Sequence, residues 1–186
     1  MTAANDRARL HELLLTHAYA KRRVMLASGR ESDFYIDCRG VALSAEGHLL
    51  IGRLVLEAAL GMEAGLQGVG GLTMGADPIA SAVSLTSALQ GRPIGAFLVR
   101  KEAKAHGTTQ CVEGLQLLPA GAKVVVVEDV LTTGGSSLKA VERARLAGLQ
   151  VSGVVALVDR SEGGRENLEA QGLKVTALFS RKDFPA

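Results

Sequence analysis

The feature that most constrains the fold is a series of short, continuous apolar runs that alternate with helix-like segments. Five runs predict strands, at residues 66–69, 94–99, 124–127, 151–158 and 173–179. Strands without polar alternation are typical of a parallel sheet that is covered on both faces. Helix signals separate the runs, at Asp77 with Pro78, at residues 136–146 and at residues 165–171. This βαβ repetition predicts an α/β fold, an open parallel sheet flanked by helices.

The N-terminal third of the chain does not share this repetition. Asn5 or Asp6 is expected to cap a first helix, and Ser44 is expected to open a second helix that stops at Gly61. Between the two helices, residues 24–37 have a strand-like pattern on both sides of a turn. A chain of 186 residues has the length of one domain, so we expect a single domain over residues 1–186.

Composition argues against several classes of protein. The chain has four Phe, two Tyr and no Trp, and a net charge of +2. Proteins that bind single-stranded nucleic acid need aromatic planes, and those that bind the phosphate backbone carry a basic excess. No apolar run approaches the roughly 20 residues of a membrane span, and the N-terminus does not resemble a signal peptide. Cys38 and Cys111 have the spacing of neither a zinc site nor a disulfide framework. We expect a cytoplasmic protein that binds neither nucleic acid nor membrane.

The strongest motif is the segment VVVVEDVLTTGGSS at residues 124–137. It combines a buried strand, two carboxylates (Glu128 and Asp129), hydroxyl groups, glycines and the start of a helix. Backbone N–H groups, hydroxyl donors and the helix dipole together suit one phosphate group. The carboxylates would repel that phosphate unless they face donors, which a ribose diol supplies. The motif therefore fits a ribose 5-phosphate, and the alternative is a polar helix cap with incidental acids.

This segment resembles the phosphoribosyl-diphosphate (PRPP) signature of the type I phosphoribosyltransferases. From about residue 10 to residue 179, the chain resembles the orotate phosphoribosyltransferases of that family. The resemblance implies a small hood from the N-terminal segment, with hood elements within residues 1–62 and a PRPP-binding core over residues 63–180. It implies that PRPP contacts residues of the signature, namely Glu128, Asp129, Val130, Leu131, Thr132, Thr133, Gly134, Gly135 and Ser136.

The basic segment RKEAKAHG at residues 100–107 matches the spacing RKxxKxHG of the family's catalytic loop. A solvated charged loop is the alternative for such a run. The resemblance implies PRPP binding by Arg100, Lys101, Lys104 and His106, and catalysis by Arg100, Lys104, His106 and Asp129. Cations that arrive with the loop would stabilise the departing diphosphate and exclude water. The resemblance further implies a homodimer, in which the loop at residues 100–114 reaches the neighbouring active site.

Two further segments concern the diphosphate and the base. A glycine-rich turn at residues 70–78 could hold diphosphate oxygens, with Met74 where the family often has lysine. Arg160 follows a strand, and a guanidinium can bind the carboxylate of orotate through two parallel hydrogen bonds, although an ordinary surface arginine is the alternative. The resemblance implies that Thr132, Phe34 and Tyr35 complete the orotate pocket. Ala27 stands where many bacterial members have lysine.

The activity implied is transfer of the 5-phosphoribosyl group from PRPP to orotate, which gives orotidine 5′-monophosphate and diphosphate in UMP biosynthesis. Mg²⁺ would be bound mainly through PRPP, because this cation prefers phosphates and waters to a cage of protein ligands. One alternative is a purine-base phosphoribosyltransferase, which would need no arginine for a carboxylate. Another is a nucleotide-sensing regulator on the same fold, which would need a basic face.

Overall fold

The computed structural model describes residues 3–25, 31–102 and 111–185. The helices of this part of the chain are α1 (Ala3–His17), α2 (Arg39–Leu43), α3 (Ala45–Met62), α4 (Ala76–Leu89), α5 (Gly135–Leu146) and α6 (Gly164–Ala170). The strands are β1 (Tyr19–Met25), β2 (Glu31–Ile36), β3 (Gly68–Leu72), β4 (Gly95–Val99), β5 (Val112–Glu113), β6 (Lys123–Leu131), β7 (Gln150–Asp159) and β8 (Lys174–Ser180). None of these helices is both long enough and apolar enough to cross a bilayer.

The central sheet has the strand order β5-β4-β3-β6-β7-β8. The pairs from β4 through β8 are parallel, whereas the two-residue strand β5 is antiparallel to β4. The predicted open parallel sheet flanked by helices is therefore confirmed. The antiparallel edge strand was not predicted, because two residues are too short to show a periodic pattern.

The valine run of β6 shows why the sheet is apolar on both faces. Val124 and Val126 pack in a buried cluster with α5 and α6, whereas Val125 and Val127 pack in a second cluster with α1 to α4. All four side chains are fully buried. Successive residues of a strand point to opposite faces, so a strand between two helical layers needs apolar residues at every position.

The N-terminal segment forms a second unit of structure above one end of the sheet, which we call the hood. It consists of α1, the antiparallel hairpin of β1 and β2, and the short helix α2 that follows the hairpin. The rings of Tyr19, Phe34 and Phe184 lie 5.4–5.7 Å apart and attach the hairpin to residues that follow β8. The expected strand-like pattern on both sides of a turn is confirmed by the two strands, and the turn at residues 26–30 lies outside the described residues.

Two of the predicted helix starts are wrong and one is confirmed. Because α1 already begins at Ala3, Asp6 lies inside the helix, where its buried carboxylate accepts a hydrogen bond from Arg53 Nη1 at 3.2 Å. Asp77 lies in the first turn of α4, after Gly75 at the N-cap. Ser44 caps α3 as expected, since its hydroxyl accepts a hydrogen bond from the Gly47 N–H at 3.1 Å.

Replacement of a buried leucine of α1 tests whether hood and sheet unfold together, as a single domain requires. Leu10 is fully buried in the cluster that includes β6 and β7. We expect Leu10→Ala to lower the free energy of unfolding by about 2–5 kcal/mol. Urea unfolding followed by circular dichroism should still show one transition.

Leu146 at the end of α5 is 87% exposed and provides the matched control. We expect Leu146→Ala to change the free energy of unfolding by no more than about 0.5 kcal/mol. A separate early transition in Leu10→Ala, with the main transition unchanged, would show that the hood folds as an independent unit.

Candidate active site

A cleft of about 370 Å³ opens at the carboxyl ends of β3, β6 and β7. The end of β2 and the residues that follow it form the opposite wall. Ligands of parallel α/β sheets bind at this edge, where the strands lead into loops and helix N-termini. The cleft therefore brings together residues from the hood and from the central sheet.

The acidic pair lies within β6, which is longer than the predicted run at residues 124–127. The strand continues because β7 pairs with it as far as Leu131 and Asp159. Glu128 is 7% exposed and accepts a hydrogen bond from Ser137 Oγ at 2.7 Å. Asp129 accepts one from the Val130 N–H at 2.9 Å. Both acids line the cleft, but α5 holds Glu128, whereas Asp129 lies near the start of α4.

The start of α4 approaches the Asp129 carboxylate closely at Gly75. A Cβ atom at residue 75 would lie within 2.7 Å of the carboxylate atoms, so any larger residue there would displace the carboxylate. Thr73, Met74 and Gly75 continue from β3 along the wall of the cleft, and Met74 is 66% exposed. The glycine-rich turn that the sequence analysis singled out therefore lies beside the acidic pair.

Burial raises the pKa of the Glu128 carboxyl to about 8. The hydrogen bond from Ser137 opposes this rise, and the neighbouring Asp129 carboxylate adds to it. Glu128 therefore holds its proton to a higher pH than a free carboxyl does, which reduces the negative charge of the acidic pair.

The loop after β6 has the backbone of an anion site. Gly134 has a φ of +83° and precedes the first turn of α5, which starts at Gly135. Thr132 and Ser136 line the cleft, and Thr133 is exposed, with its carbonyl accepting a hydrogen bond from Asn167 Nδ2 at 3.0 Å. N–H groups at a helix N-terminus and the hydroxyls beside them are donors for an anion.

Two side chains of the same segment are turned away from the cleft. Leu131 is 1% exposed and packs in the core, so its side chain does not reach a ligand in the cleft. Ser137 is fully buried, and its hydroxyl donates to Glu128. The structure therefore limits the exposed hydroxyls of the predicted phosphate loop to Thr132, Thr133 and Ser136.

Arg160 is 8% exposed and has its guanidinium at the cleft. Its Nη2 donates to the carbonyl of Phe34 at 2.9 Å and forms an ion pair with Glu162 Oε1 at 2.9 Å. The guanidinium carbon lies 5.6 Å from the centre of the Phe34 ring. These contacts hold Arg160 in position, and Glu162, which follows it by two residues, was not predicted.

The two aromatic residues predicted at the base pocket have different environments. Tyr35 lines the cleft. The ring of Phe34 is 1% exposed and lies among Tyr19, Phe184 and the guanidinium of Arg181. Phe34 thus acts on the cleft through its carbonyl, which holds Arg160, and not through a ring that faces the ligand.

The structure separates the cations predicted in the basic loop. Lys101 lines the cleft. Arg100 is directed elsewhere, since its Nε donates to Glu113 at 2.9 Å and its carbonyl accepts a hydrogen bond from Arg143. Lys104 and His106 lie outside the described residues.

A charged pair that the sequence analysis missed also lines the cleft. Arg39 donates from Nε and Nη2 to the two carboxylate oxygens of Asp37, at 2.8 Å and 2.6 Å. The Arg39 guanidinium holds the pKa of Asp37 below its usual range. The available signal was two opposite charges directly after the strand that ends at Ile36.

Comparisons with known proteins agree with this geometry. A family model of the phosphoribosyl transferase domain matches residues 69–175, which contain the turn after β3 and the loop after β6. The orotate phosphoribosyltransferase of Sorangium cellulosum is 54% identical over 181 residues, which cover 97% of this chain and 94% of that protein.

Two solved structures of the Mycobacterium tuberculosis orotate phosphoribosyltransferase have the same fold. The complex with Fe(III) dicitrate has a TM-score of 0.81 and 44% identity, and the match covers 96% of this chain and 98% of that chain. The complex with PRPP has a TM-score of 0.77 and 36% identity, with 97% and 92% covered. On the strength of the matching domain, the identity over nearly the whole length and the shared fold, the chain belongs to the phosphoribosyltransferase family, in its orotate phosphoribosyltransferase branch.

Proposed function

We propose that this chain transfers the 5-phosphoribosyl group of PRPP to N1 of orotate, which gives orotidine 5′-monophosphate and diphosphate. The observation that carries the proposal is a single cleft lined by an arginine for a carboxylate, an acidic pair for a ribose and a helix N-terminal loop for a phosphate. The names of the relatives support the same reaction and its place in pyrimidine biosynthesis. One relative was crystallised with PRPP.

The 5′-phosphate of PRPP binds at the loop of residues 132–136 in this proposal. Backbone N–H groups at the start of α5 and the hydroxyls of Thr132, Thr133 and Ser136 donate to its oxygens. Val130 and Leu131 contribute through their backbone, since the Leu131 side chain is buried. Glu128 and Asp129 accept hydrogen bonds from the ribose hydroxyls, and the proton kept by Glu128 reduces repulsion with the phosphates.

Orotate binds at the other end of the cleft, with its carboxylate on Arg160. A charge-assisted pair of hydrogen bonds to a planar guanidinium is strong and directional. The ion pair with Glu162 offsets the cost of burying this cation before orotate arrives. Thr132 and Tyr35 line the space next to Arg160, and the Phe34 carbonyl fixes the guanidinium. Purine bases have no carboxylate, so this arginine supports a pyrimidine substrate.

Catalysis depends on charge at the departing diphosphate. As the bond to the ribose carbon breaks, negative charge grows on diphosphate and positive charge grows on the ribose, near Asp129. Lys101, Lys104 and His106 stabilise the negative charge on the diphosphate, and loop closure keeps out water that would hydrolyse PRPP. Arg100 donates to Glu113 and does not line the cleft of its own chain, so its contact with PRPP in the neighbouring site of a homodimer rests on the resemblance to the family.

Mg²⁺ is bound in this cleft mainly through the oxygens of PRPP. Within the described ranges no three His, Cys, Asp or Glu side chains are grouped so that they could hold a metal ion. The carboxylate oxygens of Asp129 are of the hard type that Mg²⁺ prefers, and PRPP supplies phosphate oxygens. When bound, the ion neutralises part of the diphosphate charge.

The assay that tests the proposed function is the loss of orotate absorbance after addition of PRPP and Mg²⁺. We expect turnover with orotate and none with adenine or hypoxanthine. Turnover with a purine base alone would replace the proposal by the purine alternative. Binding of DNA at physiological salt without any turnover would favour the regulator.

Replacement of Arg160 by lysine tests the carboxylate contact. Lysine keeps the charge but loses the planar pair of donors, so we expect the KM for orotate to rise about tenfold to hundredfold. The KM for PRPP should change less than twofold. Arg145→Lys on the exposed side of α5 is the matched control. Equal rises in both KM values would contradict a role specific to orotate.

Replacement of Lys104 tests the loop. We expect Lys104→Ala to lower kcat about 10²- to 10³-fold, as loss of one donor to a transition-state anion does. If the loop acts in the neighbouring subunit, mixing Lys104→Ala with the inactive Arg160→Ala restores activity, because a mixed dimer has one site with both residues intact. No recovery after mixed dimers have formed would show that the loop serves its own subunit.

The raised pKa of Glu128 predicts a pH dependence of stability. An unfolded chain loses this proton near pH 4.5 and the folded protein loses it near pH 8. The free energy of unfolding therefore decreases as the pH rises from about 4.5 to about 8. Glu128→Gln does not ionise, and we expect it to gain stability relative to the unmodified protein as pH rises through this range. Urea unfolding at several pH values measures the difference, with the exposed Glu142→Gln as control. A difference that is independent of pH would contradict the raised pKa.

A further inference from the structure

The turn that faces the diphosphate end of the cleft carries no cation. Thr73, Met74 and Gly75 form this part of the wall, and the exposed side chain in the middle is the apolar Met74. A diphosphate at this turn gains backbone donors but no compensating charge from it. Positive charge must then come from another element that lines the same cleft.

Three cationic side chains of the described residues line the cleft, namely Arg39, Lys101 and Arg160. Arg160 is almost completely buried and is engaged with Phe34 and Glu162 at the orotate end. Lys101 belongs to the basic loop. Arg39 begins α2 in the hood, and its side chain is 52% exposed.

The contact with Asp37 fixes the orientation of Arg39 and leaves part of its guanidinium available. Nε and Nη2 donate to Asp37, while Nη1 has no hydrogen-bond partner among residues 3–25, 31–102 and 111–185. One edge of the planar guanidinium therefore contacts Asp37, and its remaining N–H groups can donate to a second anion. Asp129 also interacts electrostatically with Arg39, and both residues line the same cleft as the turn at residues 73–75.

A second pair of the same geometry lies outside the cleft. Arg9 donates from Nε and Nη2 to both carboxylate oxygens of Glu46, at 2.7 Å and 2.9 Å, and its side chain is 42% exposed. Exposed ion pairs of this kind add little to stability. The two pairs differ in two respects: Arg9 Nη1 also donates to Glu12 at 2.7 Å, and only Asp37 and Arg39 line the cleft.

We propose that Arg39 binds the diphosphate group of PRPP, with Asp37 as the residue that positions its guanidinium. The identity of the ligand rests on the function proposed above. Arg39 supplies from the hood the charge that the turn at Met74 lacks. Hood and sheet therefore both hold the leaving group, and Arg39 binds it before and after the bond to the ribose breaks.

Calorimetric titration with inorganic diphosphate tests this assignment without turnover. We expect Arg39→Gln to weaken diphosphate binding about tenfold to hundredfold, with and without Mg²⁺, the loss typical of a hydrogen bond to a charged group. Binding of ribose 5-phosphate should change less than twofold. Arg39→Lys, which keeps the charge without the fork, should recover part of the affinity, and Arg9→Gln should bind both ligands as the unmodified protein does.

The outcomes separate this inference from the proposed function. Diphosphate binding by Arg39→Gln within twofold of the unmodified protein overturns the role of Arg39, and so does an equal loss of ribose 5-phosphate. Equal melting temperatures of Arg39→Gln and Arg9→Gln show that the loss is not a folding defect. If the unmodified protein binds diphosphate through Arg39 but does not convert orotate, the proposed function fails while the assignment of Arg39 stands.

Discussion

The pairing of β6 with β7 is the interaction on which the other features of the cleft depend. The two strands pair in parallel from Lys123 and Gln150 to Leu131 and Asp159, and most of their side chains are buried. Because both strands end at the same level, the loop of residues 132–136 and Arg160 leave the sheet side by side. The Arg160 N–H donates to the Leu131 carbonyl and extends the pairing by one step. A one-residue slip would turn every side chain of one strand to the opposite face.

Three arginines at or near the cleft have carboxylate partners within the protein. Arg39 is paired with Asp37, Arg160 with Glu162 and Arg100 with Glu113. Each pair lowers the energy of a cation that would otherwise be partly desolvated without an anion. A substrate that carries several negative charges competes with these carboxylates, so its net affinity is smaller than the sum of its own contacts. These ion pairs also hold each guanidinium plane in one orientation, in which it can bind an anionic substrate.

How much could be predicted from the sequence depends on the range of the interaction. The valine run of β6 and the glycine-rich loop gave correct elements because their signals lie within a few consecutive residues. The start of α1 was wrong because Asp6 pairs with Arg53, 47 residues away. The direction of Arg100 and the burial of Phe34 depend on Glu113 and Phe184, which are likewise distant in sequence. The pair Asp37 and Arg39 is local, but its place in the cleft is visible only in the folded hood.

The ring cluster around Phe34 connects the end of the described chain to Arg160. Phe34 touches Tyr19 and Phe184, and the Tyr19 hydroxyl donates to the carbonyl of Pro185 at 3.0 Å. The same Phe34 presents the carbonyl that holds Arg160. Residues 184–185 thus support the residue that holds Arg160, although they do not line the cleft. Displacement of Phe184 would therefore reach Arg160 through Phe34, so a residue outside the cleft can change the position of an arginine that lines it.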